Sequence, residues 1–222
     1  MTELDILKET LENMIYSTES RFREIIDSLK ANIFDIENDK TLSTEERYNV
    51  TSSYYDELEK YESQRYLSRN KLVICIYSIC EIILAGICVD NSHKPVKMSG
   101  SIIKPLLCPN LGGRVCNVKR SRKPNYHLKD YLYTLDPEFI TDWNDARIVS
   151  TAIRNLRNYL SHRRANAKYA DKLIKSLSEC GIKYITQING NIIIDNIESI
   201  WNILEIIFEM LKKAEEKAEA KN

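Results

Sequence analysis

"LVICIYSICEIILAGICV", residues Leu72 to Val89, is apolar on every side of a helix except at Glu81, and its placement decides the fold. Eighteen such residues suit either the buried central helix of a bundle or a membrane span. A carboxylate near the middle of a span costs about 2.5–3.5 kcal/mol on insertion scales, and the Ser, Tyr and Cys around it weaken the span further. The stretch is therefore predicted to be the centre of an all-α bundle, with a membrane-active effector using residues 72–89 as the rival.

The chain around this stretch is helical in character. Neither Gly nor Pro occurs before Gly86, and the whole chain of 222 residues has only six Gly and five Pro, which favours long helices over many turns. Thr2 can cap a first helix reaching about Phe34, with Leu4, Leu7, Leu11, Ile15, Phe22, Ile25, Ile26 and Leu29 recurring at threes and fours. After the polar "DIENDKTLS", Ser43 and Glu46 form a capping-box signature for a very long helix running into the central stretch.

Periodicity stops from about residue 91 to 125, where Pro95, Pro105, Pro109, "LGG" and "VKRSRKPNYH" read as a long basic loop. A loop of this length is either a solvated excursion or a binding segment. In the second case Lys119, Arg120, Arg122 and Lys123 would seek phosphates beside the stacking ring of Tyr126. "YHLKDYLYTL" suggests a short helix, and Asp136-Pro137 a helix start. The apolar stripe Phe139, Trp143, Ala146, Val149, Ile153, Leu156, Leu160 comes next.

A helix near "NAKYADKLIKSLSEC" is closed by Gly181, and Asn189-Gly190 between "IKYITQI" and "NIIID" signals a β-hairpin within about residues 182–195. A last amphipathic helix carrying Trp201, Leu204, Ile207, Phe208 and Leu211 runs into a charged tail from about residue 212 to 222. The expected architecture is one up-and-down bundle of five to six helices with an inserted hairpin. It is a single domain over residues 1–222.

Charge narrows the partners. Lys and Arg balance Asp and Glu at 32 each, so nothing in the total announces nucleic acid. The halves differ, however: residues 94–172 hold sixteen basic against six acidic residues, which polarises the molecule towards a polyanion. The six cysteines (75, 80, 88, 108, 116 and 180) lack Cys-x-x-Cys spacing, and no secretory signal opens the chain, so reduced thiols in a cytoplasmic protein are expected, with no metal and no cofactor.

The candidate site lies in "RNYLSH", Arg157 to His162. At 100° per residue these two are about 140° apart around a helix. With the stripe from Val149 to Leu160 inward, Asn158 and His162 share the opposite face and Arg157 sits on its flank. By itself this is equally an ordinary surface histidine favouring the helix dipole.

An Arg, then a polar residue, then a His five positions after the Arg, late on an amphipathic helix of an all-α chain, resembles the Arg-x(4–6)-His signature of the HEPN ribonuclease superfamily. Arg157, Asn158 and His162 fill its positions. Glu81 matches an acidic residue that several of its families carry in the preceding helix, while the basic loop and the hairpin depart from the minimal bundle.

The resemblance implies a metal-independent endoribonuclease acting as a homodimer, of the toxin or phage-defence branch, with an antitoxin or defence-complex protein as a further partner. Arg157 would bind the scissile phosphate, His162 would transfer protons and Asn158 would orient the imidazole or the phosphate. Arg154, Arg163 and Arg164 would contact the RNA backbone, or be merely solvated. Glu81 would brace an active-site arginine; its structural alternative is a buried pair with any Lys or Arg. The rival from another class is a non-catalytic RNA-, nucleotide- or protein-binding module.

Overall fold

A computed structural model describes residues 2–91, 127–162 and 166–220. The basic loop's Lys119, Arg120, Arg122, Lys123 and Tyr126, and Arg163 and Arg164 after the motif, lie outside the described residues.

Two long helices form the frame. Helix α1 spans Glu3–Asn38 and α2 spans Thr44–Asp90. Each begins at a reciprocal capping box, Thr2 with Asp5 and Ser43 with Glu46, which satisfies amide donors that a first turn leaves open. The second half of α2 is the centre of the molecule, and α2 packs against α1, α8, α3 and α6. Its inward residues are Leu72, Val73, Ile76, Tyr77, Cys80, Leu84, Ile87 and Cys88, while Ile82 and Val89 face outward and are 68% exposed. The apolar stretch is thus about half buried. By length and hydropathy α2 still meets the requirement for crossing a membrane.

The remaining elements close around it: α3 (Leu128–Leu135), α4 (Phe139–Asp142), α5 (Asn144–Ile148), α6 (Arg154–His162), α7 (Ala167–Glu179), strands β1 (Ile185–Ile188) and β2 (Asn191–Ile194), and α8 (Glu198–Glu219). The strands pair antiparallel with Ile188 opposite Asn191. Asn189 and Gly190 both have positive φ, 51° and 77°, as a type I′ turn demands. Gly181, at φ 82°, ends α7. The architecture is an all-α bundle carrying one hairpin.

Two expectations are corrected. The helix predicted from Pro137 onward is interrupted. Trp143 takes an extended conformation (φ −114°, ψ 99°) between α4 and α5, with its indole buried and donating to Asp136 Oδ2 at 3.1 Å. Further on, residues Val149–Ile153 form a π turn. The Thr151 hydroxyl donates to the Arg147 carbonyl at 2.6 Å and the Ser150 hydroxyl reaches the same oxygen at 3.3 Å. That oxygen is the acceptor an α-helix would offer to the Thr151 amide, so the ladder slips by one residue.

The second correction concerns residues 212–219, expected as a solvated tail. They continue α8, with Ala214 and Ala218 fully buried. Lys213 and Lys217 lie 5.6 and 5.9 Å from the centre of the Trp143 ring, and Lys217 pairs with Asp136 at 3.2 Å. Charged stems cover the indole while alanines pack beneath them.

A buried ionic clamp joins the frame to the hairpin. Glu19 on α1 accepts from Arg65 and Arg69 of α2, and Arg69 also donates to the carbonyls of Ile194 (2.9 Å) and Asp195. Burial works to raise the Glu19 carboxyl, but the hydrogen bonds and charges of Arg69 and Arg65 outweigh it and hold it below the usual range.

Candidate functional site

Helix α6 carries the motif, and its orientation is set by three anchors. Leu156 packs fully buried in the core. Tyr159, also buried, donates to the carbonyl of Gly190 at the hairpin turn and stacks on Tyr169 of α7, with ring centres 5.7 Å apart. The third anchor is the α2 side, which takes Arg157. Leu160, expected to close the inward stripe, is only half-buried, and Tyr159 fills that place. Leu156 and Tyr159, three positions apart on α6, face the core, and Leu160 packs against its edge.

On this helix Arg154, Arg157 and Asn158 are half-buried, and His162 is exposed. Arg157 donates from Nη1 to the amide oxygen of Asn158 at 3.1 Å. Its guanidinium lies 5.7 Å from the centre of the Tyr77 ring. Asn158 therefore engages the arginine, not the imidazole, and the His162 side chain hydrogen-bonds to none of the described residues.

Glu81 lies one turn beyond Tyr77 on α2 and faces both arginines. Burial pushes its carboxyl up, and the charges of Arg157 and Arg154 recover only part of that shift. Among the described residues no cation comes within 4.0 Å of it. Its Oε2 is buried without a hydrogen-bond partner, as are Arg157 Nε and the Tyr77 hydroxyl. Neither Arg154 nor Arg157 thus forms a paired brace with Glu81. The three side chains leave three unsatisfied polar atoms between α2 and α6, each of a kind that costs about 1–3 kcal/mol when left unpaired.

The charge balance of this corner is positive. Lys129 on α3 is half-buried, and burial together with the nearby Arg154 pushes its ammonium down. Among the described residues, Lys129, Arg154 and Arg157 gather around the carboxylate of Glu81, with the buried Asp130 next to Lys129 on α3. A half-buried excess of cations attracts an anion more strongly than the same charges in water, because the local dielectric is lower.

No family model matches the chain, and no curated protein or solved structure does.

Of the residues that the sequence singles out, Arg154, Arg157, Asn158 and Glu81 are brought together at the contact of α6 with α2. His162 stands at the C-terminal end of the same helix. Tyr77 and Lys129 belong to the corner and are not legible as site residues. Tyr77 does have a faint signal, since Tyr and Glu four apart are neighbours on one side of an otherwise apolar helix. Lys129 has none. Among the described residues no three His, Cys, Asp or Glu are placed to hold a metal ion. Cys75, Cys80 and Cys180 are free thiols.

Proposed function

We propose that the protein is a homodimeric, metal-independent endoribonuclease of the HEPN type, acting in the cytoplasm as a toxin or antiphage defence effector and restrained by a protein partner. The observation that carries this reading is the cationic corner of Lys129, Arg154 and Arg157 on and beside the helix that presents an exposed His162. It supplies an anion site on the helix that also carries an imidazole, a group able to take and give protons.

The chemistry needs three things. A base takes the proton from a ribose 2′-hydroxyl, and the oxygen attacks the adjacent phosphorus. The bond from phosphorus to the 5′-oxygen then breaks, and an acid returns a proton to that oxygen. Positive charge must meanwhile stabilise the phosphorane. Arg157 suits the last task, because its fork engages two phosphate oxygens as Lys cannot, and Arg154 adds charge along the backbone. A single imidazole cannot act on both sides of an in-line phosphorus. Two copies of His162, brought face to face by a two-fold axis, would divide the tasks of base and acid.

A second reading, a non-catalytic RNA- or nucleotide-binding module, is favoured by the isolation of His162, which no described residue of one chain orients. The two readings part on product chemistry. The purified protein should cut RNA in EDTA and leave 2′,3′-cyclic phosphate and 5′-hydroxyl ends. RNA binding without any such product would refute the enzyme.

A further inference from the structure

We propose that Tyr77 is the positioning residue for Arg157, its ring face setting the plane and height of the guanidinium in the role that the sequence suggests for Glu81. This rests on the assignment of Arg157 to the phosphate-binding site above.

Tyr77 has little freedom of its own. It is 1% exposed, on the inward face of α2, among side chains that pack the centre of the bundle. Arg157 reaches it from α6 and lies 5.7 Å from the ring centre. Planar guanidinium groups rest on aromatic faces because the quadrupole of the ring attracts the cation while its flatness matches the plane of the fork.

Among the described residues, the other restraints on Arg157 are few. One hydrogen bond, from Nη1 to Asn158, ties down one corner of the fork and leaves rotation about that bond open. The Nε atom is buried without a partner, and the Glu81 carboxylate stays beyond ion-pair distance. A carboxylate brace would have paired Nε with Glu81 Oε2, yet both atoms are unmatched. The aromatic face therefore supplies the second restraint, and two restraints of different kinds define a plane where one does not.

The Tyr77 hydroxyl sharpens the assignment. It too is buried without a partner, so it contributes nothing that positioning requires. The function resides in the ring, and phenylalanine should replace tyrosine.

The experiment combines RNA cleavage with the side-chain N–H resonances of Arg157, identified by their loss in Arg157→Lys. Protons held over an aromatic face shift upfield, and this readout does not depend on activity. Upfield resonances are expected in the wild type and in Tyr77→Phe, and a return towards the free-arginine position in Tyr77→Leu. Cleavage by Tyr77→Phe should stay close to wild type. Tyr77→Leu should lose about 100-fold in kcat with little change in KM, because a slightly misplaced catalytic cation costs the transition state more than the ground state.

Unshifted resonances in the wild type would overturn the proposal, as would a loss in Tyr77→Phe equal to that in Tyr77→Leu. If Tyr77→Leu does not fold, Tyr77→Met, which keeps bulk without a π face, takes its place. Shifted resonances in a wild-type protein that cleaves no RNA would uphold the positioning of Arg157 while refuting the ribonuclease reading.

Discussion

The amide oxygen of Asn158 accepts a hydrogen bond from Nη1 of Arg157 at 3.1 Å, so two adjacent residues of one helix are tied to each other through their side chains. The sequence suggests a partnership of Asn158 with His162, one turn on. In the structure the asparagine instead restrains the arginine. Asn158→Ala should therefore lower kcat for RNA by about 10–100-fold, as expected for a hydrogen bond to a charged group worth about 1.5–3 kcal/mol. Thermal melting of the variant should stay close to wild type. A variant with full activity would show that Asn158 does not restrain Arg157.

His162 is exposed, and its side chain bonds to none of the described residues. His162→Ala should consequently leave stability within about 0.5 kcal/mol of wild type, as for other surface substitutions. It should abolish cleavage in EDTA all the same. Urea unfolding and a gel assay on the same preparation check both halves, and cleavage at the wild-type rate would remove His162 from the mechanism.

Glu81 makes stability fall as pH rises. Its carboxyl is raised in the folded protein, chiefly by burial, so the folded chain holds its proton more tightly than the unfolded chain does. The penalty is absent below the ordinary value near 4.5 and fully present above the raised folded value. Glu81→Gln should therefore raise Tm at pH 8 and lose its advantage at pH 4. Melting curves across that range test the sign. A Glu81→Gln protein less stable at pH 8 than wild type would mean that the arginines neutralise Glu81 after all.

The Glu19 clamp acts in the opposite sense. Burial opposes ionisation of Glu19, but Arg69 and Arg65 hold the carboxyl below its usual range. Its contribution is thus complete above the unfolded value and lost as pH falls through the lowered folded one. Glu19→Ala leaves the buried Arg69 without its anion and should cost about 3–5 kcal/mol at neutral pH. Urea unfolding of the variant measures the loss, and a cost near zero would place Glu19 and Arg69 in solvent.

The C-terminal part of α8 separates packing from solvation. Ala214 is fully buried, between the two lysines that cover Trp143. Ala214→Glu should destabilise the protein by about 3 kcal/mol or more, since an unpaired charge enters a packed interior. A neutral effect would restore the solvated tail that the composition suggests.

The elements legible in the sequence are those whose boundaries are set within a few residues. Thr2, Ser43 with Glu46, Gly181 and Asn189-Gly190 each act on backbone groups one to four positions away, and each stands where its local chemistry requires. The central helix is legible for a similar reason, because eighteen apolar residues must be buried or embedded wherever they lie. Arg157, Asn158 and His162 are legible as a spacing on one helix.

Their partnerships come from packing alone. Arg69 meets Glu19 across 50 positions and Ile194 across 125, and Arg157 meets Tyr77 across the same packed interior. Such contacts have no local signature, since either partner could have been satisfied by many residues of similar chemistry. The break at Trp143 and the π turn at Val149–Ile153 belong to the same class. Helical propensity favours continuity there, and a buried indole and two hydroxyls bonded to one carbonyl override it.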